Sequence, residues 1–258
     1  MDKMGIERLL DGQGRLSALP KRPAMRLVAL RWLLSLFAQG RIYTEGEVNA
    51  LLVDRSATGD YALLRRELCE SGLLSRTKTG SRYWRSDYLC GEVDCGDLAL
   101  RDLRADDVAV LLDIHQSLDY YDDITGHPFA EEDAQALIAR TDLPPGGSSE
   151  FYHAKMILAA GGQSAGYLMT YAGYPQANTL WLGSLFLHRE HHRGGIGQAV
   201  VRLVTEQAAV AGFRRAALGV YAGNTPGLQF WVRQGFCHID RVRVEEGQRA
   251  VLALSRDI

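Results

Sequence analysis

The stretch HREHHRGGIGQ, at residues 188–198, constrains the fold of this chain more than any other segment. It joins a strand-like run, TLWLGSLFL, to a long amphipathic pattern, GIGQAVVRLVTEQAAVAG, whose apolar residues recur on one helical face. Gly194, Gly195 and Gly197 remove side chains at this junction, so backbone N–H groups can approach a ligand closely. The helix N-terminus and the charge of Arg193 favour an anion there. The loop therefore predicts a phosphate-bearing ligand where a strand enters a helix.

Two common phosphate loops fit this segment poorly. A Walker loop needs Lys followed by Ser or Thr after its last glycine, and neither follows Gly197. A dinucleotide-binding loop needs a third glycine where Val200 stands, and an acidic residue at a strand end about twenty positions later, which is also missing.

The runs around the loop predict a mixed α/β domain. LALRDL is a strand candidate, RADDVAVLLDIHQSL is an amphipathic helix, and YHAKMILAA, SAGYLMTYAGY and TLWLGSLFLH are successive strands separated by Gly, Pro and Asn. After the long helix come a strand (RAALGVY), a short helix (TPGLQFWVRQG) and two final strands. Central strands followed by alternating helices and strands are typical of a mixed sheet with flanking helices.

The first part of the chain predicts a small separate domain. Met25–Phe37 is apolar on too many sides for a surface helix, Thr44 and Glu47 fit a capping box, and YALLRRELCESG forms a third helix closed by Gly72. A β-hairpin turning at residues 78–80 follows, and three helices with a basic hairpin indicate a winged helix-turn-helix. We place this domain at residues 1–90 and the second at 97–258, because turn formers fill the stretch between them.

Composition narrows the classes of protein that this chain can belong to. Residues 1–90 hold fifteen Lys and Arg against ten Asp and Glu, whereas the remainder is acidic, which suggests two domains with different partners. No apolar run has the length of a signal peptide or a membrane span, so we expect a cytoplasmic protein with no membrane partner. Four cysteines, at positions 69, 90, 95 and 237, are too few for a disulfide scaffold, and we expect ordinary thiols and no metal site.

The glycine loop also carries a family resemblance. LFLHREHHRGGIGQAVV resembles the acyl-CoA loop of the GNAT superfamily of N-acyltransferases, in which Gln or Arg stands three residues before a Gly-x-Gly or Gly-x-Ala unit. Gly195 and Gly197 take the two small positions, and Ile196 lies between them. His192 stands where the family usually has Gln or Arg, and Arg193 is adjacent.

A second element supports the same resemblance, which covers about residues 97–256. NTPGLQFWVRQGF is similar to a family segment that begins with Asn and ends with Gly-Phe, and four of its positions match: Asn224, Phe230, Gly235 and Phe236. Gly227 replaces the usual Ala, and Trp231 replaces the usual Tyr. The resemblance implies a mostly antiparallel GNAT-like sheet, acetyl-CoA as co-substrate, and an amine as acceptor.

The resemblance also implies which residues contact the cofactor. The CoA pyrophosphate would lie against the amides of the loop, the pantetheine arm would pair with the preceding strand, and the N–H of Leu187 would polarise the thioester carbonyl. The residues implied are Leu185, Phe186, Leu187, His192, Arg193, Gly194, Gly195, Ile196, Gly197, Gln198 and Asn224.

Catalytic residues are less clear in the sequence. Trp231 stands where the family's proton donor to the leaving thiolate stands, and an indole cannot act as an acid near neutral pH, so Tyr221 is the nearest replacement. No carboxylate marks a general base, and water held by the backbone or by Ser184 is the alternative. Tyr120 and Tyr121, in a segment that looks like the substrate side of one GNAT subgroup, either line the acceptor site or belong to a solvated helix end.

The N-terminal segment is similar to a bacterial winged-helix-like family of unknown function that occurs alone or attached to regulators and enzymes. Five basic residues there could face DNA: Arg65, Arg66, Arg76, Lys78 and Arg82. The other interpretation is a packing or dimerisation module, so DNA and a second copy of the chain are both candidate partners. Two functions stay open, an N-acetyltransferase that works by direct attack in a ternary complex, and an acyl-CoA-sensing transcriptional regulator with a degenerate acyltransferase domain.

Overall fold

The computed structural model describes residues 6–89, 91–244 and 249–258. The predicted thiol of Cys90 lies outside the described residues, whereas the cysteines at positions 69, 95 and 237 are free thiols. The chain divides into two compact units, one of Met1–Tyr88 with Val210–Gly212 and the other of Leu89–Ala209 with Phe213–Ile258.

The first unit contains the three predicted helices and the predicted hairpin. The elements are α1 (Pro23–Leu34), α2 (Glu45–Asp54), α3 (Tyr61–Glu70), β1 (Leu74–Arg76) and β2 (Tyr83–Arg85), with β1 and β2 antiparallel. Helix α1 begins at a proline, which suits the first helical turn, and it ends three residues before the predicted Phe37. The core is a cluster of leucines from all three helices with Phe37, Tyr43 and Tyr83.

The predicted capping box at the start of α2 is confirmed. The Glu47 backbone N–H donates to Thr44 Oγ1 (3.3 Å), and the Thr44 N–H donates to Glu47 Oε2 (2.8 Å). Two N–H groups that the helix leaves without internal partners are satisfied in this way.

The predicted basic strip is partly engaged inside this unit. Arg65 donates to Asn49, pairs with Glu45 at 2.7 Å and lies over the Tyr83 ring, while Arg66 pairs with Glu70 at 3.7 Å. Arg65 therefore holds α2, α3 and the hairpin together.

The second unit is an eight-stranded sheet with helices on both faces, as the sequence predicted. Its elements are β3 (Val93–Asp94), β4 (Leu98–Asp102), α4 (Val108–Gln116), α5 (Tyr121–Thr125), α6 (Glu131–Ala139), β5 (Tyr152–Ala159), β6 (Ser164–Ala172), β7 (Thr179–Leu187), α7 (Ile196–Val210), β8 (Arg215–Tyr221), α8 (Thr225–Arg233), β9 (His238–Val244) and β10 (Ala250–Asp257). The order of the described strands is β3-β4-β5-β6-β7-β8-β10-β9, and every pair among them is antiparallel except β7 with β8. Helices α5 and α6 were not predicted.

Strand alternation gives the sheet two distinct faces. One, here called the α4 face, carries Tyr167 and Phe186, whose rings lie against His115 of α4. The opposite α7 face carries Leu187, which lies beside Gly197 of α7, and Arg256 of β10, which donates to Thr205 of α7 at 2.7 Å. Across the described part of the chain, no helix combines the length and the apolar character that a membrane crossing requires.

Candidate active site

Strands β7 and β8 pair over only a short distance and then part. Thr179–Leu182 pairs in parallel with Arg215–Leu218, and the register between these two described strands goes no further. The partner β6 shows why: Met169 pairs with Ser184 and Thr170 with Leu182, so Gly183 is an extra residue in β7. A bulge of this kind bends its strand and increases its twist. Residues 183–187 and 219–221 therefore border a gap in the middle of the sheet.

The backbone edge of β7 that borders this gap can be identified from the hydrogen bonds. The His188 N–H donates to the Ala165 carbonyl of the β6 edge at 2.9 Å. Hydrogen-bonded and non-hydrogen-bonded residue pairs alternate along an antiparallel ladder. The backbone of Phe186 therefore forms hydrogen bonds with β6, while Leu185 and Leu187 direct their N–H and C=O groups into the gap. In agreement, the ring Nε2 of His192 donates to the Leu187 carbonyl at 3.0 Å. The N–H of Leu187 thus points into the gap.

The loop between β7 and α7 is fixed at its start and open at its end. The Arg189 N–H donates to Ser117 Oγ at 3.0 Å, and its guanidinium pairs with Asp119. Arg193 and Gly195 then adopt left-handed conformations, with φ of 62° and 84°. Such a conformation costs a non-glycine residue about 1–2 kcal/mol. Together with the first N–H groups of α7, which have no partner within the helix, this backbone is typical of the nests that bind anions.

Gly197, in the first turn of α7, has a packing role in addition to the close ligand approach that the sequence predicted. A Cβ at this position would lie 3.3 Å from the Phe230 ring of α8 and 3.6 Å from Leu187 Cδ1. The absence of a side chain lets α7, α8 and β7 meet at one point. By contrast, a Cβ on Gly194 would approach the rest of the described chain no closer than 3.7 Å, at the His191 carbonyl.

Asn224 begins α8 as its N-cap. Its Oδ1 accepts the N–H of Gly227 at 2.9 Å, which satisfies one donor of the first turn. A Cβ on Gly227 would lie 2.5 Å from Asn224 Nδ2. An alanine at this position would therefore require the Asn224 side chain to shift.

An aromatic cluster on the α4 face lies under Phe186. His115 stacks on Phe129 with ring centroids 3.7 Å apart, and Tyr121 contacts both His115 (4.4 Å) and Phe186 (5.5 Å). His115 Nε2 is 2.8 Å from the Tyr167 hydroxyl, while its buried Nδ1 has no hydrogen-bond partner among the described residues. Burial lowers the pKa of His115 to about 4 and raises that of Tyr121 to about 12, so both are neutral at pH 7. The sequence placed His115 on an apolar helical face but carried no sign of this cluster.

The predicted tyrosines are placed differently from one another. Tyr221 ends β8 on the α4 face, at the far border of the gap from Ser184. It lies close enough to Tyr121 to contribute, after burial and Asp133, to the raised pKa of that phenol. Tyr120 is 40% exposed. The structure therefore brings Tyr121 and Tyr221 together and leaves Tyr120 at the surface.

Trp231, at the position of the family's acid, packs edge-on against two rings. Its centroid distances are 4.9 Å to Phe230 and 5.4 Å to the buried Phe236. Phe230 in turn meets Gly197. Both aromatic residues of α8 thus pack against neighbouring residues.

The three loop histidines differ in their exposure. The side chains of His188 and His191 lie close to Glu190 and are only 23% and 15% exposed, whereas His192 is at the surface. Within the described ranges, no group of three or more His, Cys, Asp or Glu could hold a metal ion.

A basic cleft adjoins the open end of the loop. It lies between α7 and α8, measures about 320 Å³, and is lined by Gln198, Arg202, Arg233 and Arg256 among others. Arg256 is held there by bonds to the Gln234 carbonyl (2.6 Å) and to Thr205. Three guanidinium groups beside a helix N-terminus create a positive potential that suits phosphate groups.

Two parts of the chain match known protein families. Residues 114–236 match the family model described as acetyltransferase (GNAT) family, and residues 15–85 match DUF2087, an uncharacterized protein family conserved in bacteria. No curated protein matches the sequence.

Solved structures agree with the fold. An acetyltransferase from Thermus thermophilus is 22% identical, with a TM-score of 0.51, over 64% of this chain and 100% of that one. A GNAT-family protein from Chromobacterium violaceum is 17% identical, with a TM-score of 0.54, over 65% of this chain and 86% of that one. Residues 114–236 thus match the GNAT acetyltransferase family and the second unit has the fold of such acetyltransferases, whereas residues 15–85 match a family of unknown function.

Proposed function

We propose that this protein transfers an acetyl group from acetyl-CoA to an amine by direct attack within a ternary complex. The observation that carries the proposal is the gap between β7 and β8, which presents the N–H of Leu187 beside an anion-binding loop. An extended pantetheine arm can add to the exposed edge of β7 as a strand would. The pyrophosphate then reaches the amides of residues 193–198.

Charge and conformation of the loop support this arrangement. The left-handed backbone at Arg193 and Gly195 and the first amides of α7 offer several donors to one anion. The arginine-lined cleft between α7 and α8 provides further positive charge for the remaining phosphate. Asn224, which the resemblance placed at the cofactor, acts through its cap on α8, whose Phe230 supports the loop at Gly197.

The chemical step needs three elements around the thioester. The neutral amine nitrogen attacks the carbonyl carbon, and the Leu187 N–H stabilises the negative charge that develops on the carbonyl oxygen. The C–S bond then breaks, and CoA leaves as a thiolate that takes up a proton. The nitrogen that attacked loses a proton, which leaves the neutral amide. Tyr221 borders the gap and is the candidate donor of the proton to sulfur.

We propose that water removes the proton from the acceptor amine. Tyr121 and Tyr167 have raised pKa values because of burial, and His115 is protonated only near pH 4, so none of these groups is a good base at pH 7. Ser184 borders the gap on the α4 face and can hold a water there. We therefore expect the rate to rise with pH towards the pKa of the acceptor amine.

Thermal unfolding with acetyl-CoA, free CoA, NAD and ATP tests the cofactor. A ligand that binds only the folded state at one hundred times its Kd adds about 2.7 kcal/mol, a shift of several degrees. We expect the two CoA species to raise Tm and the two other nucleotides to leave it unchanged. A flat response to both CoA species would contradict the proposal.

A charge-matched pair of variants makes this test specific to the loop. Gly194→Glu places a carboxylate beside the predicted pyrophosphate, whereas Gly12→Glu adds the same charge at an exposed position where a new Cβ meets no described residue within 4 Å. The first should reduce the acetyl-CoA shift strongly and the second should not. Equal shifts in the two variants would show that the nucleotide binds elsewhere.

The alternative function, an acyl-CoA-sensing regulator, stays a prediction. A measurement of amine acetylation distinguishes it from the acetyltransferase. Trp231 at the position of the family's acid is the observation that favours it, because a slow or inactive domain could still sense acyl-CoA. A CoA-dependent Tm shift together with no acetylation of any amine, and a gel shift of genomic DNA that responds to acetyl-CoA, would establish the regulator. Binding to DNA, a homodimer and a cytoplasmic location stay predictions.

A further inference from the structure

A second cavity lies on the α4 face of the sheet, on the opposite side from α7 and α8. It measures about 360 Å³, within the range of small-molecule sites, and is closed on one side by the loop that follows α6, at residues 142–145. Its floor includes Trp181 of β7, which still pairs with β8, and Gly219 of β8, the first residue beyond that pairing. Nothing in the sequence indicated this cavity.

The cavity lies beside the gap that borders the proposed reaction centre. Gly219 lies two residues before Tyr221 on the same strand and the same face, about 7 Å away at the rise of a β-strand. Trp181 precedes the bulge at Gly183 that starts the gap. A molecule seated in the cavity therefore extends along β8 towards the thioester.

The walls combine aromatic rings with a polar group that lacks a partner. Tyr174 packs edge-on against Trp181 with centroids 5.1 Å apart, so two nearly perpendicular rings form an apolar part of the wall. Tyr152, a fully buried side chain of β5, also lines the cavity, and its hydroxyl has no hydrogen-bond partner in the described part of the chain. A buried hydroxyl without a partner is unfavourable, so a ligand group that forms a hydrogen bond with it gains affinity.

The charged residues of the cavity set its preference for a ligand. Two arginines, Arg241 and Arg243, line it from β9, and one carboxylate, Asp142, lines it from the loop. The register places Arg243 level with Tyr221, two strands away or about 10 Å, and Arg241 level with Gly219. An anionic group can thus be held at the β9 side while an amine lies at the gap.

We propose that this cavity is the acceptor site, and that the acceptor is a small primary amine with an aromatic or apolar body and an anionic group at the end away from the amine. The inference rests on the proposed acetyl transfer for its reaction but not for the binding of the acceptor.

Three probes with one common body test the proposal. They are 4-(aminomethyl)benzoate, which has an anion opposite its amine, benzylamine, which has none, and p-xylylenediamine, which has a second cation. CoA release is measured with each probe and acetyl-CoA. We expect kcat/KM for the carboxylate to exceed that for benzylamine at least tenfold, and the diamine to be the poorest of the three. A preference for the diamine would overturn the proposal.

Variants of the cavity assign the preference to its residues. Arg241→Gln with Arg243→Gln should bring the ratio of kcat/KM between carboxylate and benzylamine close to one. Gly219→Val should raise KM for both probes by filling the floor, whereas Gly219→Ala should have a smaller effect, because a Cβ there makes ordinary contacts of 3.4–3.8 Å with Val251 and Trp181. Tm of each variant shows that it is folded.

Calorimetry without acetyl-CoA separates this inference from the proposed function. Binding of 4-(aminomethyl)benzoate that Gly219→Val abolishes, with no acetylation of any probe, would support the cavity and refute the reaction. Acetylation of amines with a kcat/KM ratio that the two arginine substitutions do not change would support the reaction and refute the acceptor site.

Discussion

The substitution Gly166→Ala tests whether the close approach of β6 to β7 sustains the candidate site. Gly166 pairs with Leu187, and a Cβ there would overlap the Phe186 carbonyl oxygen and lie 2.8 Å from Leu187 Cα. Carbon atoms in contact prefer about 3.5–4.0 Å, and backbone atoms cannot rotate away, so the two strands must separate by nearly 1 Å.

The cost of this separation can be worked out from its parts. Overpacking of a well-packed interior costs about 1–3 kcal/mol, and a weakened ladder bond between Tyr167 and Phe186 about 1 kcal/mol more. We therefore expect a loss of about 2–4 kcal/mol, which lowers Tm by roughly 5–15 °C for a domain of this size. Affinity for acetyl-CoA should fall as well, because the edge of β7 at Leu187 moves.

Urea unfolding followed by circular dichroism, together with a thermal scan, measures the effect. Gly223→Ala is the matched control, since a Cβ at that position in the same unit meets no described residue within 4 Å and the residue has no left-handed backbone. A midpoint for Gly166→Ala within about 1 °C of this control would refute the reasoning, because the strands would then have room that the structure does not show.

Three further predictions address the cap, the buried histidine and the acid. Asn224→Ala should cost about 1 kcal/mol by uncapping α8, and Gly227→Ala should be better tolerated in that background than in the native chain, so a double-mutant cycle of unfolding free energies should show coupling. Because His115 has a folded pKa of about 4, below its ordinary value of 6.5, its contribution to stability is complete above pH 6.5 and is lost as pH falls towards 4, by up to about 3 kcal/mol. His115→Gln should therefore reduce the acid dependence of Tm, and an unchanged slope would contradict the burial of this ring. Tyr221→Phe should lower kcat about tenfold or more with little change in KM, and Trp231→Tyr should raise it; equal rates in all three proteins would mean that the thiolate leaves without an acid.

Local features of the structure could be predicted from the sequence because their causes are local. The Thr44–Glu47 capping box joins residues three apart in the sequence. The glycines of the loop likewise indicate its backbone conformation without any distant contact. Helix α6 was missed although its first turn is acidic and the Ala130 N–H donates to Asp133 at 2.8 Å. Asp133 closes the turn from the third helical position, without the Ser or Thr that marks the usual motif.

Features that depend on register between distant strands could not be predicted. His115 meets Phe186 only because β6 and β7 align Tyr167 with Phe186, and the acceptor cavity requires the alignment of six strands. The sequence around Gly183 also carries no sign that this glycine is the bulged residue, because a bulge is defined by the partner strand.

The short parallel seam between β7 and β8 has a consequence for folding. Among the described strands, four register pairs, from Thr179 to Leu182, connect the five strands before α7 with the three after it. The two halves of the sheet are thus weakly coupled, and local opening along the seam should expose its amides to hydrogen exchange before either half unfolds. A ligand that bonds to both sides of the gap would connect the two halves of the sheet. The domain should therefore unfold more cooperatively as the ligand occupies more of the gap.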